Sequence, residues 1–371
     1  MVEMNVGQAL IALLEARGVD TIFGIPGVHT VEMYRGLAAS QIRHITPRHE
    51  QSAGFMADGY ARATGRPGVC LLITGPGVTN AITPMAQARA DSIPMLVISG
   101  VNRVATFGHE EGYLHELPDQ RGMMAQVALW SHTLHRGAEL PRVVARAFDI
   151  MQGGRPGPVH IEVPLDVMGQ MIELDDINVT PQMPPAPDRA LLAAAADRLQ
   201  AARLPLILAG GGAVGAAASV KGLANKLDAP VVTTTNARGL MGDDDLRIPA
   251  SPSLPSVRAL MAEADCILAI GTQFGRTDYD VYEDGGAPAL QHLIRIDADA
   301  AQLTRGRVAD IAIQGDANAA CGALSALVKA RAQSSGRQRA QAAREAAFAE
   351  LPAAYQMQVD MIHRIQNAIP D

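Results

Sequence analysis

Val69-Cys-Leu-Leu-Ile-Thr-Gly-Pro-Gly-Val-Thr-Asn80 is the stretch on which the fold turns. Its first five residues are all apolar and leave no solvent face, as a parallel strand covered by helices on both sides requires. Gly75-Pro76-Gly77 ends the run, and a helical pattern occupies residues 78–89. Strand, glycine turn and helix in that order make one unit of an α/β sheet. Hydropathy offers a rival reading, because the 22 residues 67–88 carry no charge. Pro67, Pro76, Pro84, Gly68, Gly75 and Gly77 interrupt them, and lipid leaves the freed backbone groups without partners. Residues 204–220, 17 uncharged positions with Pro205 and four glycines, fail as a span for the same reason.

The alternation extends in both directions. Residues 5–17 have helical apolar spacing and stop at Gly18; a strand is expected at 21–24, the turn Ile25-Pro26-Gly27 follows, and a helix opens near Thr30. Strands are expected at 43–46, 69–74, 95–99 and 159–163, with helices at 50–63 and 141–151. The prediction is one doubly wound, mostly parallel α/β domain over residues 1–172. Residues 173–188, with Pro181, Pro184, Pro185 and Pro187, read as a linker. Helices at 189–202, 213–227 and 317–331 then alternate with strands at 206–209, 230–234, 266–270, 293–296 and 311–314. They predict a second doubly wound, Rossmann-like domain over 189–331. Residues 332–371 read as a helical connector, with a helix near 355–368. A helix followed by Pro370 commonly introduces another α/β unit, so a longer chain is expected; a native C-terminal helix is the alternative.

Composition narrows the function. With 48% hydrophobic and 19% charged residues in 371, disorder is excluded for most of the chain. A formal net charge of −7 argues against nucleic acid or an anionic membrane as the main partner. Cys70, Cys266 and Cys321 are far apart and form no CxxC, so no disulfide framework and no metal site is expected. The first residues show no basic and apolar leader, which points to a cytoplasmic protein.

Three motifs carry chemistry. Gly210-Gly211-Gly212-Ala213-Val214-Gly215 fits GxGxxG between a strand and a helix, where backbone N–H groups can meet a phosphate. The next strand lacks the acidic residue a dinucleotide ribose needs, so a nicotinamide oxidoreductase is a distant reading and a tight structural turn stands beside it. Gly75-Pro76-Gly77-Val78-Thr79-Asn80 lacks the Lys-Ser/Thr of a P-loop; it marks a site at a strand's carboxyl end. In Arg48-His49-Glu50-Gln51, Glu50 opens a helix; it either serves the helix N-terminus or is a buried acid poised to protonate a heterocycle.

Taken together, Gly24-Ile-Pro-Gly27, His49-Glu50-Gln-Ser-Ala-Gly-Phe-Met-Ala-Asp-Gly-Tyr-Ala-Arg62, Thr74-Gly-Pro-Gly-Val-Thr-Asn80 and Arg155-Pro-Gly-Pro-Val159 resemble the thiamine-diphosphate enzymes of the acetolactate synthase and 2-oxo acid decarboxylase type. The resemblance continues through Asn236-Ala-Arg-Gly239, Gly271-Thr-Gln-Phe274 and Ile296-Asp297. It implies a pyrimidine-binding domain followed by a central domain, with Glu50 on the pyrimidine N1′. Pro26, Gly27, Thr74, Gly75, Pro76, Gly77, Asn80 and Gln87 are the implied cofactor contacts. The family holds diphosphate and Mg²⁺ through a third domain with Gly-Asp-Gly…Asn, a motif that does not occur here, and its sites form between subunits of a homodimer or homotetramer. For FAD or another nucleotide the resemblance offers Arg155, Gly210, Gly211, Gly212, Gly271 and Asp297, although 271–277 lacks the Arg and Asp of flavin-binding members.

Within the family, Gly-Ile-Pro-Gly-Val-His-Thr together with Leu-His-Glu-Leu-Pro-Asp-Gln is most similar to 5-guanidino-2-oxopentanoate decarboxylases of arginine catabolism. Acetolactate synthases usually place Phe-Gln-Glu at the second segment. Glu110, Glu111, Glu116 and Asp119 lie within ten residues, and a carboxylate can hold a guanidinium by two parallel hydrogen bonds; a solvated acidic loop is the alternative. Val28, His29, Glu116, Asp119 and Gln120 are the expected substrate residues. The expected activity is decarboxylation of a small-molecule 2-oxo acid. The alternatives are acetolactate synthesis and a non-catalytic two-domain subunit pairing with a separate chain.

Overall fold

The computed structural model describes residues 2–174, 185–283, 285, 288–331 and 335–369. Two compact units divide the chain, Met1–Met183 and Pro184–Asp371.

The first unit opens with β1 (Val2–Asn5) and α1 (Val6–Ala16), where Asn5 and Gln8 form a reciprocal cap. There follow β2 (Thr21–Gly24), α2 (Val31–Ala38), β3 (Arg43–Ile45), α3 (Glu50–Thr64) and β4 (Gly68–Leu72). The helix expected at 78–89 is broken at Asn80-Ala81 into α4 (Pro76–Thr79) and α5 (Ile82–Asp91). Next come β5 (Met95–Val101), α6 (Gln120–Ala125), β6 (Trp130–Thr133), α7 (Leu140–Gln152), β7 (Pro158–Pro164), α8 (Leu165–Met168) and β8 (Met171–Leu174).

Six strands form one parallel sheet in the order β3-β2-β4-β5-β7-β6. Alternation along each strand assigns its side chains to two cores. Ile22, Val69, Leu71, Leu96, Ile98 and Ile161 pack on one face, with Leu10, Met33 and Val144 of α1, α2 and α7. Phe23, Cys70, Leu72, Met95 and Val97 pack on the other, with Ala57, Met85 and Met124 of α3, α5 and α6. Both faces are buried, which is why 69–73 shows no alternation. Residues 1–172 do not close the unit by themselves: β8 runs to Leu174 and pairs antiparallel with β1. The linker residues 175–184 lie outside the described residues.

The second unit begins with α9 (Arg189–Ala201), capped by Asp188, then β9 (Pro205–Ala209). The helix expected at 213–227 starts instead as a 3-10 turn at Gly211–Ala216 before α10 (Ala217–Leu227). After β10 (Val231–Thr233) come β11 (Arg247–Ile248), α11 (Pro255–Glu263), β12 (Cys266–Ile270), α12 (Arg276–Tyr279), β13 (Leu293–Asp297) and β14 (Ile311–Gln314). α13 (Ala317–Leu327), α14 (Ser335–Ala349) and α15 (Ala353–Ala368) complete it. The sheet is parallel, in the order β11-β10-β9-β12-β13-β14. Part of the stretch expected as a connector from residue 332 packs within this unit. Ala340, Ala343 and Ala347 of α14 pack with Leu206, Leu208, Val257 and Ile267, so the helix covers one face of this sheet. α15 buries none of its residues. Among the described residues, no helix is long and apolar enough to cross a membrane.

Candidate cofactor site at the carboxyl edge of the first sheet

The strand order reverses at β2 and β4: the chain leaves β2 for β3 on one side and resumes at β4 on the other. Open α/β sheets bind ligands outside the strand ends at such a crossing. Here Ile25-Pro26-Gly27 follows β2 and 73–77 follows β4. The two turns meet over Ile73. A Cβ on Gly27 would lie 2.4 Å from Ile73 Cδ1, and one on Gly77 2.3 Å from Ile73 Cγ2, so a side chain at either position would have to displace Ile73. Gly75 has φ +61° and ψ −119°, and its Cβ would stand 2.4 Å from the His115 carbonyl oxygen. Val28, beside this edge, is 61% exposed.

Glu50 is the first residue of α3. The helix N-cap is taken by His49, whose Nδ1 accepts from the Gln51 N–H at 3.1 Å, so Glu50 is released from that duty. Its carboxyl is half-buried, with Oε2 accepting from Asn80 Nδ2 at 2.9 Å and Oε1 3.7 Å from where a Cβ on Gly77 would be. An acid on a helix N-terminus, beside Gly77 of this turn, is thus neither turned to solvent nor sealed in.

A buried polar network supports the turn. Gln120 Oε1 accepts from Thr74 Oγ1 at 2.8 Å and from the Gly75 N–H at 2.9 Å. Gln120 Nε2 donates to Ser99 Oγ at 3.2 Å, the Gly100 carbonyl at 3.1 Å and Glu162 Oε2 at 2.9 Å. Thr133 Oγ1 donates to Glu162 Oε1 at 2.6 Å. His160 is enclosed between Ser99 (2.9 Å) and Ser131 (2.8 Å). Burial raises the Glu162 carboxyl and pushes the His160 imidazole down to about 3. Strand register gathers these groups, since Ser99 and Thr133 both pair with Glu162, and Ser131 with His160. Sequence reasoning missed His160, Glu162, Ser99, Ser131 and Thr133. The available signal was Pro158-Val-His-Ile-Glu-Val-Pro164, a wholly buried strand that is polar at two alternate positions.

The structure brings His29 near the turn as well. His29 is buried and pairs through Nε2 with Asn102 Oδ1 at 3.0 Å, and burial lowers its pKa. Its ring lies 6.3 Å from that of His115, a residue the sequence did not suggest, and the Nδ1 of each is buried without a partner. The acidic loop is folded around Glu116, whose carboxylate accepts the N–H groups of Glu110, Gly112 and Tyr113 at 2.9–3.1 Å. Asp119 caps α6 by accepting from the Gly122 N–H at 2.7 Å. A cavity of about 230 Å³ is bordered by Thr74, Asn102, Glu116, Asp119, Gln120, Arg121 and Glu162.

Other expected contacts lie elsewhere. Gln87 is exposed on α5 and donates to Asp91 Oδ2 at 2.6 Å. Arg155 belongs to the first unit, where it donates to Ser92 Oγ at 2.8 Å and the Arg89 carbonyl at 3.2 Å, fastening the end of α5. In the second unit, a Cβ on Gly210 would meet the Gly271 oxygen at 2.2 Å, and one on Gly271 would meet Gly212 Cα at 2.6 Å. Those glycines therefore serve a backbone-to-backbone contact between the β9 and β12 turns. Asp297 ends β13 and accepts from the Asp299 N–H at 3.0 Å.

Comparison with known proteins places both units. Residues 4–123 match the thiamine pyrophosphate enzyme N-terminal TPP binding domain, and residues 192–324 the thiamine pyrophosphate enzyme central domain. A probable 2-ketoarginine decarboxylase (AruI) of Pseudomonas aeruginosa is 43% identical over 375 residues, covering 99% of this chain and 66% of the relative. An acetolactate synthase of Mycobacterium bovis is 36% identical over 344 residues, 88% of this chain and 54% of the relative. The large subunit of acetolactate synthase isozyme 1 of Escherichia coli is 33% identical over 330 residues, 87% of this chain and 58% of the relative. The chain spans between about half and two thirds of the length of these curated relatives. With each unit of the fold matched by its own domain, the chain belongs to the thiamine pyrophosphate enzymes and carries their N-terminal TPP-binding and central domains.

Proposed function

We propose that the chain forms the pyrimidine-holding half of a thiamine-diphosphate-dependent decarboxylase acting on a guanidino 2-oxo acid. The observation that carries the proposal is Glu50, uncoupled from capping and held by Asn80 beside a turn kept bare by Gly27, Gly75 and Gly77. These residues fit a flat heterocycle with a basic ring nitrogen, because a carboxyl stands beside Gly77 in a turn where Gly75 and Gly77 carry no side chain. When bound, thiamine diphosphate supplies the carbon nucleophile for a 2-oxo group and the electron sink that lets carbon dioxide depart. Glu50 holds and returns the proton at its carboxyl oxygen, and Asn80 fixes the carboxyl's rotation. Diphosphate and Mg²⁺ are assigned to residues outside these 371. FAD draws no support from Gly210, Gly212 and Gly271, whose packing against one another already accounts for them.

The guanidino preference draws support from the 2-ketoarginine decarboxylase relative and from Glu116 and Asp119 on the cavity wall. Phe55 and Met56, 45% and 41% exposed on α3, support a homodimer or homotetramer. A panel of 2-oxo acids given to the complete protein with thiamine diphosphate and Mg²⁺ tests the reading. Preferred turnover of 5-guanidino-2-oxopentanoate is expected. Preferred joining of two pyruvates would replace it with acetolactate synthesis, and no turnover of any 2-oxo acid would overturn both.

A further inference from the structure

Gln120 stands at the cavity wall, yet it is 4% exposed, and both ends of its amide are engaged by the protein. The oxygen accepts from Thr74 and Gly75; the nitrogen donates to Ser99, Gly100 and Glu162. An amide so occupied has no remaining donor to offer a ligand. Its orientation is favoured by Glu162 together with the Gly100 carbonyl, both of which accept from the NH₂ end. That choice leaves the oxygen for the Gly75 N–H. Gly75 has φ +61° and ψ −119°, a conformation open to glycine and held on its other side by the His115 backbone. From Gly75 the chain passes directly into α4, and α4 ends at Asn80, the partner of Glu50.

We infer that Gln120 and Glu162 are positioning residues: a buried relay that sets the Thr74-Gly75 turn, and through α4 the Asn80–Glu50 pair, for the thiamine cofactor, instead of touching substrate. The cofactor half of this inference rests on the function proposed above; the setting of the turn does not.

Two measurements on the protein separate these parts. The first is deuterium exchange of the Gly75 amide, read by mass spectrometry on peptides spanning residues 73–80. Loss of one buried hydrogen bond gives roughly tenfold faster exchange, which is expected for Glu162→Leu and for Gln120→Met. Glu162→Gln should stay within about twofold of the unaltered protein, because its Oε1 can accept from Gln120 while the Thr133 hydroxyl reverses to accept from its NH₂. Should Glu162→Leu fail to fold, Gln120→Met carries the test, and unchanged Gly75 exchange in that variant overturns the relay. The second measurement compares thiamine diphosphate affinity by calorimetry with the KM of the 2-oxo acid at saturating cofactor. Affinity about tenfold weaker with KM unchanged supports positioning. A raised KM with unchanged cofactor affinity would make Gln120 a substrate contact and overturn the inference. Glu162→Gln behaving like Glu162→Leu would overturn the hydrogen-bonding relay. Absence of thiamine diphosphate binding by the unaltered complete protein in the presence of Mg²⁺ would defeat the proposed function while leaving the exchange result to decide the relay.

Discussion

The side-chain amide of Asn80 donates to Glu50 Oε2 across 2.9 Å, joining the residue that closes α4 to the one that opens α3. The two are 30 positions apart in sequence, with β4 between them along the chain. Because the amide takes one oxygen, the carboxyl cannot rotate freely. Glu50→Gln retains an oxygen for Asn80 and loses only the ability to hold and return a proton. Turnover is expected to fall at least ~10²-fold, the low end for a positioned acid–base group, with the melting temperature nearly unchanged. Steady-state rates at saturating cofactor and a thermal melt check this. A rate close to that of the unaltered protein would remove Glu50 from the chemistry.

Gly75→Ala strains the turn twice over. The backbone is left-handed there, and the new Cβ would press on the His115 carbonyl oxygen at 2.4 Å. Destabilisation of about 1–3 kcal/mol is expected, together with weaker thiamine diphosphate binding. Urea unfolding and calorimetry would show both. An alanine variant as stable as the original would mean that the turn relaxes freely.

Asp119 offers a clean separation of capping from charge. Asp119→Ala removes the bond to the Gly122 N–H and should cost about 1 kcal/mol. Asp119→Asn keeps an equally good cap and removes the charge. If Asp119 also faces a guanidinium, the asparagine variant keeps its stability but raises KM for a guanidino 2-oxo acid without raising it for an uncharged one. Equal KM changes for both substrates would confine Asp119 to α6.

His160 makes stability depend on pH. Its imidazole is lowered from 6.5 to about 3 by burial, so between those values the unfolded chain takes up a proton that the folded one refuses. Stability is present above about pH 6.5 and drains away as the pH falls towards 3, by at most ~1.4 kcal/mol per pH unit. Glu162, raised by burial, acts in the opposite sense: its contribution is present at low pH and lost as pH rises through its folded value. His160→Gln should flatten the acid-side slope measured by urea unfolding at several pH values. An unchanged slope would show that the loss arises elsewhere.

The doubly wound plan was legible, and Glu50 stood out as a candidate, because both rest on local signals. Both-face apolar runs such as 69–73 mark buried strands, and a glycine turn followed by a helix marks the edge where ligands bind. What stayed hidden depends on partners distant in sequence. β6 carries no apolar run, since three of the four residues in Trp130-Ser-His-Thr133 are polar, and only pairing with β7 makes it a strand. α14 was read as connector because its charges outnumber its large apolar residues; three alanines suffice to pack it on the sheet. Glu116 and Gln120 suggest substrate groups by residue type, and the sequence says nothing of the bonds they make within the protein. Their carboxylate and amide are engaged by backbone N–H groups and buried side chains that no sequence spacing reveals.

β1 and β8 lie side by side, with Val2 opposite Leu174 and Asn5 opposite Met171. The first and last strands of this unit are thus stitched together, though nearly the whole unit separates them along the chain. A short splice from residue 174 back to residue 2 would close it into a ring, which could then be reopened at a surface loop distant from Glu50 to give a circularly permuted version. An unpaired opening strand would have made such rewiring impractical.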